Sequence, residues 1–377
     1  MRRLLNFCRG GVLASLSILA MLALFAAGCN NSSDTPYIPG VQTYTVTVTN
    51  GTATPTKAAA GATITVKANA PESGKVFGKW ISLTTGVTFA SETSVETTFK
   101  MPASNVTVAA TYYNTAGGID GLFSVSETKK VYFSKGNLRA TYNGSSWTWS
   151  FADHQYDAVG NAAANTSIDG NGSVSDNGSV DLFGWVGANS EFTGMAAFGI
   201  SNSQTNSDYG NVAGEALNDW GTNAISNGGN VANYGWRTLT MDEWNYVVKT
   251  RAGADSKKGA ATVNNVAGWI LLPDAWTLPA GVSFTAGAAS EYTTNSYTAE
   301  QWAVMESAGA VFLPVTGRRD GSSVDMDTLD VGFYWSATSS NTYSAYNASF
   351  TSSGFSNEFN NWTRYKGAAV RLAKDSN

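Results

Sequence analysis

The chain has 377 residues, a formal net charge of −5, 14% charged residues, 12 Trp, 16 Tyr and 17 Phe. Its two cysteines, Cys8 and Cys29, and its one histidine, His154, exclude a disulfide framework, a thiolate metal cluster and a histidine-rich metal site. The acidic balance argues against a nucleic-acid partner, which selects concentrated Lys and Arg. The polar surface must come from Asn, Ser, Thr, Gly and Tyr, the residue types of adaptable extracellular contact loops.

At the N-terminus, Arg2 and Arg3 precede an apolar run from Leu13 to Phe25. The run is shorter than the ~20 residues a bilayer span needs, and small residues follow it, as in a secretory signal. Leu24-Phe25-Ala26-Ala27-Gly28-Cys29 resembles the bacterial lipoprotein lipobox. The resemblance implies removal of residues 1–28 and acylation of Cys29, each buried CH₂ adding ~0.8 kcal/mol of membrane affinity. Residues 29–41 then read as a polar tether. Asn30 stands where some bacteria place the Asp of an inner-membrane retention signal, so the expected location is the outer membrane, lipid-anchored and surface-exposed.

Residues 42–113 read as a small all-β module. Tyr44–Thr49 alternates strictly, Asn50-Gly51 supplies a turn, Ala62–Ala68 alternates again, and Val106–Tyr112 closes the unit. Gly74-Lys75-Val76-Phe77-Gly78-Lys79-Trp80 and Thr98-Phe99-Lys100-Met101-Pro102, followed by Val106-Thr107-Val108, resemble the divergent internalin-type B-repeat family of bacterial surface proteins. That resemblance implies a spacer without chemistry, in which Trp80 and Phe99 are framework residues and not a sugar platform. Residues 114–121, rich in Gly, read as a linker.

Residues 122–373 form the larger unit, expected to be α+β with many strands, few short helices and long loops. Strand-like segments include Phe123–Ser126, Lys130–Ser134, Trp147–Phe151, Ala310–Pro314, Tyr334–Ala337, Ala345–Phe350 and Ala368–Leu372. Two helices are signposted by capping boxes, Thr240-Met241-Asp242-Glu243 and Thr298-Ala299-Glu300-Gln301, the second stopping at Gly309.

Several motifs belong together: V-Y-F-S-K-G-N-L at 131–138, W-x-F-A-x-x-Q-Y at 149–156, D-L-F-G-W at 181–185 and W-R-T-L-T-x-x-E-W at 236–244. G-A-V-F-L-P-x-x-G-x-R at 309–319, Y-W-S-A-T at 334–338 and V-R-L at 370–372 complete the set. Their order over about 250 residues resembles the major paralogous domain of Fibrobacter- and Bacteroides-type envelope lipoproteins. That family is similar to the C-type-lectin-like fold, shared with formylglycine-generating enzymes and with variable binding proteins. The formylglycine chemistry does not carry over, because it needs a cysteine pair. Calcium-lectin motifs (Glu-Pro-Asn or Gln-Pro-Asp with Trp-Asn-Asp) are also absent from the sequence.

No cofactor is expected. Asp169-Gly170-Asn171-Gly172-Ser173 opens like a calcium loop, but Val174 and Val180 stand where such a loop needs Gly and Glu. Asp325, Asp327 and Asp330 have spacing that suits a hard cation, set against the simpler reading of an exposed acidic loop. His154 has Asp153 and Asp157 nearby but no G-x-S-x-G elbow, so it reads as a structural histidine and the chain as a non-enzyme.

In the variable-protein branch of the fold, the last ~50 residues build the ligand face. The candidate ligand-binding residues here are therefore Asn341, Tyr343, Tyr346, Asn347, Ser349, Phe355, Asn357, Phe359, Asn360, Asn361 and Trp362. Most are residue types reachable from an Asn codon by adenine-directed change, the pattern of retroelement-diversified lipoproteins; a fixed Asn/Ser-rich surface is the equal alternative. Phe355, Phe359 and Trp362 would supply an aromatic anchor if exposed. The expectation is an adhesin-like surface lipoprotein that binds a protein or glycan on a cell, phage or host surface. A structural envelope component and a polysaccharide-handling accessory or cryptic hydrolase are the alternatives.

Overall fold

A computed structural model describes residues 41–376 apart from 73, 115, 144–145, 161–164, 166–178, 187–217, 233, 322, 326–329 and 357–360. The lipobox, Cys29 and the tether up to residue 40 lie outside the described residues, as does the 169–174 loop. Residues 42–377 form one compact unit.

The module contains two sheets. Thr43–Thr49 lies between Lys57–Ala59 and Val106–Asn114, which in turn pairs with Lys75–Ser82. Thr63–Ala68 lies between Gly51–Thr54 and Glu96–Lys100. Alternation does what it should: Ile64 and Val66 are buried, while Thr63 and Lys67 face out. The Asn50-Gly51 turn puts Asn50 at φ 58°, and a Cβ on Gly51 would meet Trp80 at 2.8 Å. Trp80 and Phe99 lie in the core with Phe89 between them, and the Trp80 indole N–H donates to the Ser94 carbonyl at 3.0 Å.

Residues 114–121 are built into the larger unit. Gly118 bridges Ser134, the Ile119 N–H donates to the Phe133 carbonyl at 2.8 Å, and Ile119 is buried in the main core. Burial of this segment removes the freedom its glycines suggest.

The larger unit is mostly β-sheet. Among the described residues its α-helices are short: α1, Met241–Asn245, and α2, Ala299–Ser307, each opened by the expected capping box. An α+β description therefore overstates the helical share. The last strand, Leu372–Asp375, inserts between Trp236–Thr238 and Lys130–Phe133, so the two ends of the unit close one sheet. Arg237 fastens α1 to this sheet, with bonds of 2.7 and 2.8 Å to Glu243 and 2.7 Å to Asp375. Lys258–Val263 and Val266–Leu271 form a hairpin flanked by Asn295–Tyr297 and Val311–Pro314. Its turn uses Asn264 and Asn265, both at positive φ, a turn signal that sequence reasoning passed over. The hairpin Val331–Asn341 and Ser344–Thr351, with the short strands Gly354–Phe355 and Asn361–Thr363, carries the C-terminal face.

The dispersed motifs meet in one buried polar network. The Gln155 carbonyl oxygen accepts from Arg371 at 2.5 Å and from the Phe312 N–H at 2.8 Å, and its amide donates to the Ala310 carbonyl at 3.1 Å. Arg371 also reaches Asn137, whose amide donates to the Tyr334 hydroxyl, and Tyr334 donates to the Pro314 carbonyl at 2.9 Å. Five motif segments, spread from Asn137 to Arg371, thus supply one another's hydrogen-bond partners, where an orphaned group would cost about 1–3 kcal/mol, and only the Arg371 Nε of this network is left without one. Burial pulls the Arg371 guanidinium down to about 10.

Candidate functional site

The C-terminal face divides the expected ligand residues into three groups. Tyr343 is 66% exposed at the tip of the hairpin, beside exposed Asn341, whose side-chain oxygen accepts the Tyr343 N–H at 2.8 Å. Tyr346 is half-buried. Asn347 and Ser349 are buried, which corrects the expectation that both display their side chains at the surface. Their register explains it: Asn347 pairs with Trp335 and Ser349 with Phe333, in a stretch where residues 347–350 are covered on both faces. Both faces of the strand carry core there, so alternation no longer separates inside from outside.

Phe355 and Trp362 are half-buried and serve as packing residues more than as free anchors. The Phe355 ring lies 5.2 Å from Trp269 and 5.2 Å from Phe350. Trp362 lies 4.0 Å from Phe333 and 6.2 Å, edge-on, from Trp335, with the Lys366 ammonium 5.5 Å over its ring. Asn361 pairs through its backbone with Tyr346. Asn357, Phe359 and Asn360 lie outside the described residues.

A groove of about 520 Å³ opens on this face. Val331, Phe333, Phe350 and Phe355 supply its apolar wall; Ser349, Thr351, Ser353 and Ser356 supply hydroxyls. Among the described residues that line it, none has an ionisable side chain. Ser349, hidden from the outer surface, thus reappears as part of the groove. Volume and lining fall in the range of small-ligand sites, which combine an apolar wall with a few polar groups.

Of the acidic loop, Asp325 is paired with Arg318 at 3.4 Å. The Asp330 carbonyl accepts the Tyr292 hydroxyl at 2.8 Å, and burial, with Glu291 nearby, raises its carboxyl. Asp327 lies outside the described residues. No group of three His, Cys, Asp or Glu able to hold a metal ion occurs among the described residues. His154 is largely exposed, stacks on Tyr156 at 5.0 Å and meets Asp157 at 3.2 Å, which in turn pairs with Arg139.

A second cavity, of about 460 Å³, lies where the module meets the larger unit. Thr111, Tyr112 and Asn114 line it from the module, and Ala303, Glu306 and Ser307 of α2 face them. Burial pushes the Glu306 carboxyl up to about 7, against a hydrogen bond from Gln155 and the charges of Arg371, His154 and Lys135. Neither cavity nor network was legible in the sequence; the pairing of Gln155 with Arg371 spans 216 positions.

Residues 42–116 match the divergent InlB B-repeat domain. The match ends just past the module's last strand, Val106–Asn114, so the N-terminal part of the unit is a repeat-type domain of this kind. No curated protein and no solved structure matches the chain.

Proposed function

We propose that the protein is a lipid-anchored bacterial surface protein in which the B-repeat module carries a C-type-lectin-like domain that binds ligand without catalysis. The observation that carries this reading is the aromatic-walled groove at the open end of the C-terminal hairpin, whose described lining carries no ionisable side chain. A groove whose described lining is uncharged suits a neutral ligand, a glycan or an uncharged protein segment, because those residues leave no buried charge to compensate. Convergence of the dispersed motifs on Gln155, Asn137, Tyr334 and Arg371 supports the fold, since the residues of one framework should satisfy one another. The partners of His154 are Asp157 and the Tyr156 ring, an arrangement that supports a structural role. Anchoring rests on the lipobox alone.

The test is binding of neutral cell-surface polysaccharides and of whole bacterial cells to the purified chain and to its Ser353→Trp variant. Ser353 is exposed at the groove, so an indole there blocks the opening without disturbing the core. Loss of binding with an unchanged melting temperature supports the reading. Full binding by the blocked variant refutes it. Anchoring is checked separately: Cys29→Ala should release the protein from the membrane fraction.

A further inference from the structure

We propose that the junction between the B-repeat module and the larger unit is a proton-controlled contact, closed when Glu306 is protonated and loosened when it ionises. Three observations place Glu306 there. It sits in the last turn of α2, where the helix end carries partial negative charge and disfavours a carboxylate. It lines the cavity whose opposite wall is the module strand Val106–Asn114. Its neighbour Ser307 accepts the Tyr112 N–H at 3.4 Å, a direct bond across the junction. The junction also holds the ion pair between Lys75 of the module and Asp120.

The charged and titratable groups around Glu306 are Lys135, Asp153 and Tyr112 at the cavity, His154 and Tyr156 on the adjoining loop, and Arg371 from the domain's interior. Asp120 is held by Lys75. Burial outweighs the hydrogen bond from Gln155 and the charges of Arg371, His154 and Lys135, and the carboxyl stays up at about 7 against an ordinary 4.5.

The sign follows from linkage. A carboxyl raised in the closed state favours closure fully below about 4.5, and that preference is lost as pH rises towards 7. Were the carboxyl fully hydrated on opening, the closed-to-open ratio would change by at most about 300-fold. Glu306 is only half-buried and Gln155 stays beside it, so a change of about tenfold is expected.

The experiment is amide hydrogen exchange on the full chain between pH 5 and pH 8, normalised to intrinsic exchange rates and read at Tyr112. Protection of Tyr112 should fall about tenfold across this range, while core amides such as that of Phe312 hold. Glu306→Gln keeps a hydrogen-bonding amide but no charge, and should leave Tyr112 protected throughout. His154→Gln should leave the wild-type transition unchanged. A flat wild-type profile overturns the proposal whether or not any variant folds. So does a transition that survives in Glu306→Gln or disappears in His154→Gln.

Discussion

Asp181 offers a sharp test of how the larger unit handles buried charge. The residue is 2% exposed, and its Oδ1 accepts from the Gly160 N–H at 2.8 Å and the Asn165 amide at 2.7 Å. Burial pushes its carboxyl up to about 6, although those two bonds and Arg139 pull the other way. A raised carboxyl means that the folded state holds its proton where the unfolded chain has released it. Stability from this group is therefore complete below about 3.8 and lost as pH rises through about 6. The shift of roughly two units corresponds to about 3 kcal/mol carried as a penalty at neutral pH. Asp181→Asn keeps an oxygen for both donors and removes the charge, at the cost of burying an amide, about 1–3 kcal/mol if that amide stays unpaired. The net expectation is a gain of about 0–2 kcal/mol at pH 8 and a loss of about 1–3 kcal/mol at pH 4. Urea denaturation of both proteins at pH 4, 6 and 8 measures this, since the midpoint shift multiplied by a common slope gives the difference directly. A variant that is less stable than wild type at pH 8 and more stable at pH 4 would refute the reasoning. So would a difference that does not change with pH.

Further predictions follow from packing and from the site. Trp362→Ala should cost about 3–5 kcal/mol of stability, because the indole packs on Phe333 and Trp335; thermal melting checks it. Tyr343→Ala, at a position 66% exposed, should change stability by less than about 0.5 kcal/mol while weakening ligand binding. Gly332→Ala should destabilise by about 1–3 kcal/mol, since its Cβ would sit 2.1 Å from the Phe350 ring, and the same denaturation assay reads it. If the C-terminal face diversifies, sequencing codons 334–372 across a population should find changes at Tyr343 and none at buried Asn347.

Much that is local could be read from the chain itself. The Thr240 and Thr298 capping boxes, the Asn50-Gly51 turn and the alternating strands of the module each depend on neighbours within a few residues, and each stands where its pattern put it. The single histidine was equally plain, because one His cannot form a histidine cluster. The C-terminal face was harder. Asn347 and Ser349 have the composition of a polar surface, yet the sheet they belong to is covered on both sides. Residue type alone does not report what packs above a strand. The glycine-rich 114–121 segment reads as a linker, yet Ile119 has a place in the main core. Glu306 had nothing to mark it, since its environment is assembled from a module strand, a helix end and the Gln155 loop, far apart in sequence. Short-range hydrogen-bonding geometry is written in adjacent residues, whereas burial, and with it the cost of each polar group, is set by which distant segments the fold brings over it.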